Sequence, residues 1–306
     1  MMKKYLRYCV LFALPVVILA ALAEYVIRQV PNTYQYKYEW MQENAKDVEA
    51  LVLGSSHAFY GIRPGVMREK AFNLANPCQN LEEDRFLLLH WKDEYRHLKT
   101  VICTISYFTL FNQGLRFHGE SYRCRYYNIY MHSDLYPSLS PYYNLEIAEW
   151  KTALKKLKTL FMGPGGVDWF CDEYGAECYN DVQENEPNTW DGKGVAEWDT
   201  AETWDYVEKN CKLLRDIADF CRDRGIRLVF LTPPCYHTYY NNIDQRQWAK
   251  TQDIIRSFQE EYDIPYFDHL KDHRFGKEDF YNSVHLLDKG AEKLTRILEE
   301  EMGNGK

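Results

Sequence analysis

Short apolar segments alternate with longer amphipathic segments along most of the chain. The apolar segments are rich in aliphatic and β-branched residues and are too short to be buried helices, so each predicts a strand. The longer segments place apolar residues three and four positions apart, which is typical of a helix that buries one face. The predicted strands lie at 49–54, 71–75, 100–106, 227–232 and 265–267, and the predicted helices at 81–98, 204–224 and 245–262, with a short helix at the carboxyl terminus.

This alternation predicts an α/β fold. Strands that alternate with helices usually form a parallel sheet, and strands that are apolar throughout indicate that helices cover both of its faces. We therefore expect a doubly wound, flavodoxin-like parallel sheet of about five strands.

The alternation breaks between residues 112 and 201. This interval is rich in Tyr, Trp, Gly and Asp and contains one basic helical segment at 153–158. We interpret it as an aromatic-rich insertion that covers the carboxyl edge of the sheet as a lid. The predicted organisation is an amino-terminal membrane anchor or signal segment (1–30), an α/β domain (31–111 and 202–306), and this insertion (112–201) within it.

The amino terminus has the features of a membrane segment. Basic residues within positions 3–7 precede an uncharged apolar stretch at 8–23, which residues 25–27 extend toward the roughly 20 residues that cross a bilayer. Either this helix is retained as a transmembrane anchor, or it is cleaved after the small residues at 21–23. Both alternatives place the main domain outside the cytoplasm, because the positive end stays inside. We predict a single-pass membrane protein, or a secreted one if cleavage occurs.

Composition excludes several classes of protein. A net charge of −8 argues against nucleic-acid binding, which requires a basic surface. The nine cysteines include no C-x-x-C pair and the nine histidines no H-E-x-x-H motif, so we predict neither a metal site nor a cofactor. The 25 tyrosines and 8 tryptophans are explained either by packing or by a cleft whose aromatic faces stack on sugar rings.

Two segments carry the candidate chemistry. Residues 53–57 (Leu-Gly-Ser-Ser-His) lie at the carboxyl end of the first predicted strand, where parallel sheets bind ligands. Residues 279–286 (Asp-Phe-Tyr-Asn-Ser-Val-His-Leu) lie just before the last helix. A serine is a poor nucleophile unless an imidazole lies within hydrogen-bond reach. We therefore predict that Ser56 and His285 meet across the sheet and form a reactive centre.

These segments resemble the SGNH/GDSL hydrolase superfamily. Gly54-Ser55-Ser56 resembles the first conserved block, Gly-Asp-Ser, with Ser55 in the place of the aspartate. This Gly-Ser-Ser variant is similar to that of membrane-anchored members that serve cell-envelope acylation. His285 resembles the histidine of the final Asp-x-x-His block, and Gly290 fits its continuation. The resemblance implies that Ser56 is the nucleophile and His285 is the base.

The chain departs from this family at the residue that orients the histidine. The position three residues before His285 is Asn282 rather than aspartate. An amide orients an imidazole without stabilising its charged form, so another carboxylate is needed for full activity. Asp279 is the nearest candidate.

The oxyanion-binding blocks of the family are also altered. Residues 73–77 contain no glycine, and residues 104–107 (Thr-Ile-Ser-Tyr) replace Gly-x-Asn-Asp. His57 either contacts the substrate or packs at a helix start. The residues expected to bind the oxyanion or the substrate are Gly54, Ser55, His57, Asn76 and Ser106.

Two functions are consistent with these features. The first is a serine ester hydrolase or O-acyltransferase that acts on an exported or cell-envelope glycan through Ser56 and His285. The second is a catalytically impaired protein of the same fold that binds a glycan or takes part in assembly. In both cases we expect a carbohydrate ligand, attachment to the membrane through the amino-terminal helix, and a partner in an envelope acylation or export system.

Overall fold

The computed structural model describes residues 2–117, 119–162, 171–177 and 190–304. Within the predicted insertion, residues 118, 163–170 and 178–189 lie outside the described residues. The strands are β1 (Ala50–Leu53), β2 (Ala71–Asn73), β3 (Thr100–Thr104), β4 (Arg227–Thr232) and β5 (Tyr266–Asp268). The α-helices are α1 (Met2–Ile27), α2 (Thr33–Asn44), α3 (Ser56–Gly61), α4 (Leu81–His90), α5 (Cys124–Tyr130), α6 (Pro141–Asn144), α7 (Trp150–Met162), α8 (Gly192–Asp199), α9 (Val207–Asp223), α10 (His237–Tyr240), α11 (Gln245–Tyr262) and α12 (Asp288–Asn304). Short 3-10 helices occupy Pro64–Val66, Thr109–Phe111, Leu115–Phe117, Ser121–Arg123, Glu146–Ala148 and Lys277–Asp279.

The strands form one parallel sheet in the order β2-β1-β3-β4-β5. In this register Leu51 of β1 lies between Phe72 of β2 and Val101 of β3. The order is the flavodoxin-like one, in which the direction of winding reverses between β1 and β3. The prediction of a doubly wound α/β fold with five parallel strands and an amino-terminal apolar helix is confirmed.

Helices bury the apolar strands. Every residue of β1 and β3 is buried. Helix α9 packs against α4, α11 and β4, whereas α3 packs against α12. Strands without polar positions require this cover, because a solvated face would expose aliphatic side chains to water.

Most element bounds follow the apolar pattern. Helix α4 is shorter than predicted, and the carboxyl-terminal helix α12, predicted to be short, spans 17 residues. Strand β4 and helix α11 match the predicted 227–232 and 245–262. Helix α4 ends at His90 instead of residue 98, with Trp91 buried at its C-cap. The residues that follow are mostly exposed and charged, so they have no apolar face with which to stabilise another helical turn.

Contacts divide the chain into two compact units. One comprises Met1–Tyr38 and Tyr122–Trp169, and the other comprises Glu39–Ser121 and Phe170–Lys306. The second unit contains the whole sheet. The predicted role of residues 112–201 as a lid stays a prediction.

Helix α1 is long and apolar enough to cross a membrane by length and composition. Its residues up to Leu19 are exposed, and cover by other residues begins at Ala20. The helix continues without a break through the small residues at 21–23, and Glu24 and Ile27 in its last turns are buried.

A buried ionic cluster organises the first unit. Glu146 is fully buried and lies 3.1 Å from Lys156 Nζ, and it accepts a hydrogen bond from Tyr130 Oη at 2.8 Å. Arg125 is also fully buried and donates to Glu149 at 3.0 Å. Buried charges persist only when they are paired, because desolvation is expensive. Many tyrosines of the predicted insertion are buried around this cluster, which supports packing as the reason for their presence: Tyr126, Tyr127, Tyr130 and Tyr136.

The turn after β1 depends on Gly54. Its φ of 135° lies in a region that other residues rarely adopt, and a Cβ there would lie 1.8 Å from Thr104 Oγ1. The backbone N–H of Gly54 donates to Asp84 Oδ1 at 2.8 Å, and Gln79 donates to the same oxygen at 2.7 Å. Burial raises the pKa of Asp84 to about 7. Helix α4, on which Asp84 lies, therefore holds the turn that presents Ser56.

We predict that Gly54→Ala lowers the free energy of unfolding by about 3 kcal/mol, because it combines backbone strain with a clash against β3. Urea unfolding of the detergent-solubilised full chain, followed by tryptophan fluorescence, measures this loss. The matched control is Gly225→Ala, at a φ of 64° with no atom near its added Cβ. Gly225→Ala should lower the free energy of unfolding by only about 1 kcal/mol. Equal losses in the two variants would contradict the proposed clash.

Candidate active site

Ser56 and His285 lie within hydrogen-bond distance although 229 positions separate them in the chain. Ser56 is the first residue of α3, directly beyond the carboxyl end of β1, and Ser55 caps that helix by accepting the N–H of His57 at 3.4 Å. His285 lies in the loop before α12. Its Nε2 is 3.0 Å from Ser56 Oγ, and both residues are partly exposed.

The pair occupies the position at which open parallel sheets bind ligands. Strand β1 lies between β2 and β3, so the crevice where the winding reverses opens at the carboxyl ends of β1 and β3. Ser56 follows β1, and Ser106 follows β3. The sheet thus brings these two hydroxyl groups to one edge.

A tight loop holds His285. Tyr281 donates its N–H to the carbonyl of His285 at 2.9 Å, and Leu287 donates to the carbonyl of Asp279 at 2.9 Å. Gly290 lets α12 approach this loop closely, since a Cβ there would lie 2.2 Å from the carbonyl oxygen of Asp279. The start of α12 is therefore packed directly against the backbone that presents the histidine.

Asn282 contacts the ring of His285 with its amide nitrogen. Its Oδ1 accepts the backbone N–H groups of Val284 at 3.0 Å and of His285 at 2.9 Å. Its Nδ2 consequently faces His285 Nδ1 at 3.1 Å. Reversing the amide would leave two backbone donors without an acceptor, so the loop itself determines which end of the amide meets the ring.

This orientation decides the tautomer of His285. An amide nitrogen only donates, so Nδ1 must accept, and the ring proton of the neutral imidazole lies on Nε2. Nε2 then donates to Ser56 Oγ, which is the reverse of the polarity that a general base needs. Burial and, to a smaller extent, the neighbouring His57 lower the pKa of His285 to about 3, so the ring is neutral at physiological pH.

His57 and Ser106 pair with each other. His57 is buried, its Nδ1 lies 2.9 Å from Ser106 Oγ, and its ring meets the ring of Phe108 edge-on at a centroid distance of 5.4 Å. Burial lowers the pKa of His57 to about 4. The ring centroids of His57 and His285 are 5.8 Å apart. His57 thus packs at the start of α3 beside the reactive pair, and the Ser106 hydroxyl is engaged by it.

Asp279 is not brought to the histidine ring. Its carboxylate accepts the N–H of Gly276 at 2.9 Å and pairs with Lys293 Nζ at 2.8 Å. These contacts tie the loop to α12. The structure therefore gives Asp279 a part in positioning the loop and places Asn282, rather than a carboxylate, beside the ring of His285.

Asn76 is fully buried at the same sheet edge. Its Nδ2 donates to the carbonyl of Leu74 at 3.3 Å and to Gln79 Oε1 at 2.9 Å, so both amide protons are engaged. The backbone N–H groups of Asn76 and Ser56 donate to no other residue within the described ranges. Of these two donors, only the N–H of Ser56 belongs to a partly exposed residue and is available to a ligand; the buried Asn76 is not placed to bind one.

Aromatic side chains flank the His285 loop. The ring of Tyr60 lies 4.7 Å from that of His285, between centroids. Tyr236 donates its N–H to the carbonyl of Ser283 at 2.9 Å, and its ring meets that of Trp190 edge-on at 5.2 Å. The sequence marks residues 233–237, which include Tyr236, either as lining the pocket or as a plain loop. It gives no sign of Tyr60, Trp190 or Asp84, because nothing in their local pattern distinguishes them from other aromatic or helix-terminal acidic residues.

Other clusters lie elsewhere. A cavity at the carboxyl end of β5 is lined by residues that include His269, Asp272, Arg274 and Glu301, and it includes neither Ser56 nor His285. Within the described part of the chain, no group of three or more His, Cys, Asp and Glu side chains is arranged to hold a metal ion.

Comparisons with known proteins were made for the whole chain. No protein-family model matches it, and no curated protein matches it. A solved structure assigned as an acylhydrolase, from Bacteroides fragilis NCTC 9343, is similar over 86% of this chain and 95% of that one, with 8% identity and a TM-score of 0.40. Another, assigned as a platelet activating factor from Streptococcus pneumonia, is similar over 94% and 98%, with 14% identity and a TM-score of 0.38. Similarity at these TM-scores supports no conclusion about the chemistry, which rests on the geometry of the site.

Proposed function

We propose that this chain is a membrane-tethered serine ester hydrolase or O-acyltransferase of the SGNH type that acts on an exported or cell-envelope glycan. The observation that carries the proposal is the 3.0 Å separation of Ser56 Oγ and His285 Nε2 at the switch point of the sheet. A hydroxyl and an imidazole in this arrangement are the two groups that acyl transfer through an acyl-enzyme requires.

The reaction follows from the positions of these groups. Acyl transfer requires the tautomer of His285 that carries its ring proton on Nδ1. In that tautomer Ser56 Oγ attacks the acyl carbonyl carbon while its proton passes to His285 Nε2, and the ester C–O bond breaks as the leaving sugar oxygen takes that proton. Water or a second sugar hydroxyl then attacks the acyl group on Ser56, with His285 again receiving and returning the proton. The backbone N–H of Ser56 serves as a donor to the oxyanion and contributes about 3 kcal/mol.

The glycan class is supported by the aromatic side chains near the loop. Trp190 and Tyr236 are partly exposed and adjoin the segment that carries His285. Aromatic faces stack on sugar rings, and phenol groups donate to sugar hydroxyls. In this proposal, a glycan bound there presents its ester to Ser56. A partner in an envelope acylation or export system would supply or receive the acylated glycan.

The location is supported by the form of α1. A helix that runs unbroken through residues 21–23 and buries Ile27 favours retention of the anchor over cleavage. The basic residues at 3–7 favour a cytoplasmic amino terminus and an extracytoplasmic site.

A second candidate function is a glycan-binding or assembly protein with little turnover. The orientation of Asn282 favours it, because the Nε2–H tautomer of His285 cannot accept the proton of Ser56. In a serine protease the corresponding aspartate-to-asparagine change keeps the geometry and lowers kcat by about 10⁴-fold. The two candidate functions differ in whether His285 moves its ring proton from Nε2 to Nδ1 when substrate binds.

We predict that Ser56→Ala abolishes fluorophosphonate labelling and reduces hydrolysis of acetylated oligosaccharides to the uncatalysed rate. The reason is that no other described hydroxyl is hydrogen-bonded to His285 Nε2. Mass spectrometry locates the label, and released acetate is measured for the detergent-solubilised full chain. Ser257→Ala, on α11, is the control and should behave like the wild type. Wild-type rates in the Ser56→Ala variant would remove Ser56 from the mechanism.

We predict that Asn282→Asp raises the labelling rate of Ser56 by up to about 10⁴-fold. One oxygen of the introduced carboxylate still accepts the two backbone N–H groups that Asn282 accepts. The other accepts a hydrogen bond from Nδ1–H of His285, which leaves Nε2 without a proton and able to act as a base. The control is Asn242→Asp, which adds the same charge beyond α10. A rate that does not rise would show that the tautomer is not what limits reactivity.

The same variant should change the dependence on pH. In the wild type, a His285 pKa of about 3 keeps the base neutral, so the rate of labelling should be flat from pH 5 to 8 apart from changes in the probe. The introduced carboxylate favours imidazolium and raises the pKa of His285. The rate of the Asn282→Asp variant should therefore fall as pH is lowered through that higher value, and a flat profile would contradict this account.

We predict that Trp190→Ala raises KM for an acylated oligosaccharide about 10-fold through the loss of stacking worth about 1.4 kcal/mol. The same change should leave kcat/KM for p-nitrophenyl acetate, which has no sugar ring, unaltered. Trp204→Ala, a partly exposed tryptophan that packs on Phe111, is the control. Equal effects on both substrates would contradict a sugar-binding role for Trp190.

A further inference from the structure

Helix α7 presents an exposed face that combines apolar and basic residues. Trp150 and Leu154, one turn apart, are 64% and 56% exposed. Lys151, Lys155 and Lys158 are exposed beside them. At 100° per residue, the two apolar side chains project in nearly the same direction, and the three lysines lie along one flank of that direction.

The opposite face of α7 is held in place. Ala153 and Lys156 are buried, and Lys156 Nζ is 3.1 Å from Glu146 Oε1. The same oxygen accepts the hydroxyl of Tyr130 at 2.8 Å. Because a buried charge without its partner is costly, this ion pair fixes the rotation of α7 about its axis. The exposure of Trp150 and Leu154 is therefore a property of the packed helix.

Glu146 also links α7 to the end of α1. Glu24, in the last turns of α1, accepts the backbone N–H groups of Glu146 and Ile147, both at 3.0 Å. Arg28 pairs with Glu24 at 2.6 Å and donates to the carbonyl of Asn144 at 2.9 Å. These contacts place the segment that leads into α7 against the carboxyl end of α1.

The covered part of α1 marks where that end lies relative to a bilayer. Residues 2–19 are exposed along the whole helix surface, and cover begins at Ala20. The exposed apolar residues of this helix are available to lipid, and contact with the rest of the unit is confined to its last two turns, at the end of the apolar stretch. Helix α7 packs on α1 and is attached at this level through Glu146.

We propose that α7 lies in the membrane interface beside α1, with Trp150 and Leu154 inserted at the acyl boundary and Lys151, Lys155 and Lys158 bound to anionic phospholipid headgroups. A helix with one apolar face and a lysine-rich flank is the form that interfacial helices take, and tryptophan favours this depth. Each lysine near an anionic surface adds attraction that decays within a Debye length.

The three lysines of the flank favour an anionic lipid surface over the same face of a second copy, because pairing through that face would bring lysines against lysines. The whole chain has a net charge of −8, but the exposed flank of α7 carries three lysines, which suits a negatively charged surface. The attachment of α7 to the emerging span keeps that flank at the bilayer whenever α1 is inserted. Interfacial seating of α7 would hold the first unit at a fixed height above the membrane.

The experiment uses tryptophan fluorescence of the full chain in vesicles whose phospholipids carry brominated acyl chains. Helix α1 contains no tryptophan, so the anchor itself contributes no quenched signal. With excitation selective for tryptophan, the wild type should lose part of its emission in bromolipid relative to unbrominated vesicles. In Trp150→Phe this loss should be reduced by at least half. Trp198→Phe removes a tryptophan of α8 that is 71% exposed and should quench like the wild type.

A second variant tests the basic flank. Replacing Lys151, Lys155 and Lys158 together by Glu should weaken quenching in vesicles that contain phosphatidylglycerol, and should abolish its increase over phosphatidylcholine vesicles. Flotation of each sample with the vesicles verifies that α1 is inserted. Equal quenching in Trp150→Phe and the wild type would overturn the proposal. So would a wild-type Trp150 that stays unquenched because a second copy covers it, which cross-linking in the same vesicles would detect.

Discussion

The contact between Ser56 Oγ and His285 Nε2 depends on almost every other feature of the second unit. Ser56 is presented because Gly54 adopts a φ that frees the chain to turn at the end of β1. Asp84 holds that turn from α4, and burial raises its pKa to about 7. His285 is presented because Gly290 lets α12 approach the backbone of the loop. Gly54 and Gly290, which have no side chain to obstruct the packing around them, thus bring together two groups that are 229 positions apart in the chain.

The loop that positions His285 also sets its protonation. Asn282 satisfies two backbone N–H groups with its carbonyl oxygen, and that bonding leaves only its amide nitrogen for the ring. A carboxylate at this position would make the same two backbone contacts and still accept from Nδ1. Asn282 therefore gives the site the same shape that a carboxylate would give it, but it reverses the direction of the hydrogen bonds along the pair. Geometry and reactivity are separable here, which is why an ester hydrolase and a binding protein are both consistent with one arrangement of atoms.

The first unit is organised by charge rather than by an apolar core alone. The carboxylate of Glu146 pairs with Lys156 and accepts the hydroxyl of Tyr130, and the backbone N–H of Glu146 donates to Glu24. This one residue joins the end of α1 to α7, and buried tyrosines surround it. The unit couples the orientation of a basic amphipathic helix to α1, the helix that is long and apolar enough to cross a membrane.

The sequence by itself determined the sheet, the apolar amino-terminal helix and the pairing proposed for Ser56 and His285. These follow from local patterns: apolar runs bury as strands, and the carboxyl ends of parallel strands meet at one edge. Only the tertiary structure decided which partner each polar group has. It placed Asp279 on Lys293 rather than on the histidine, joined Ser106 to His57, and turned the amide of Asn282. Hydrogen bonds between residues distant in the chain depend on directions and distances that no spacing of residue types records.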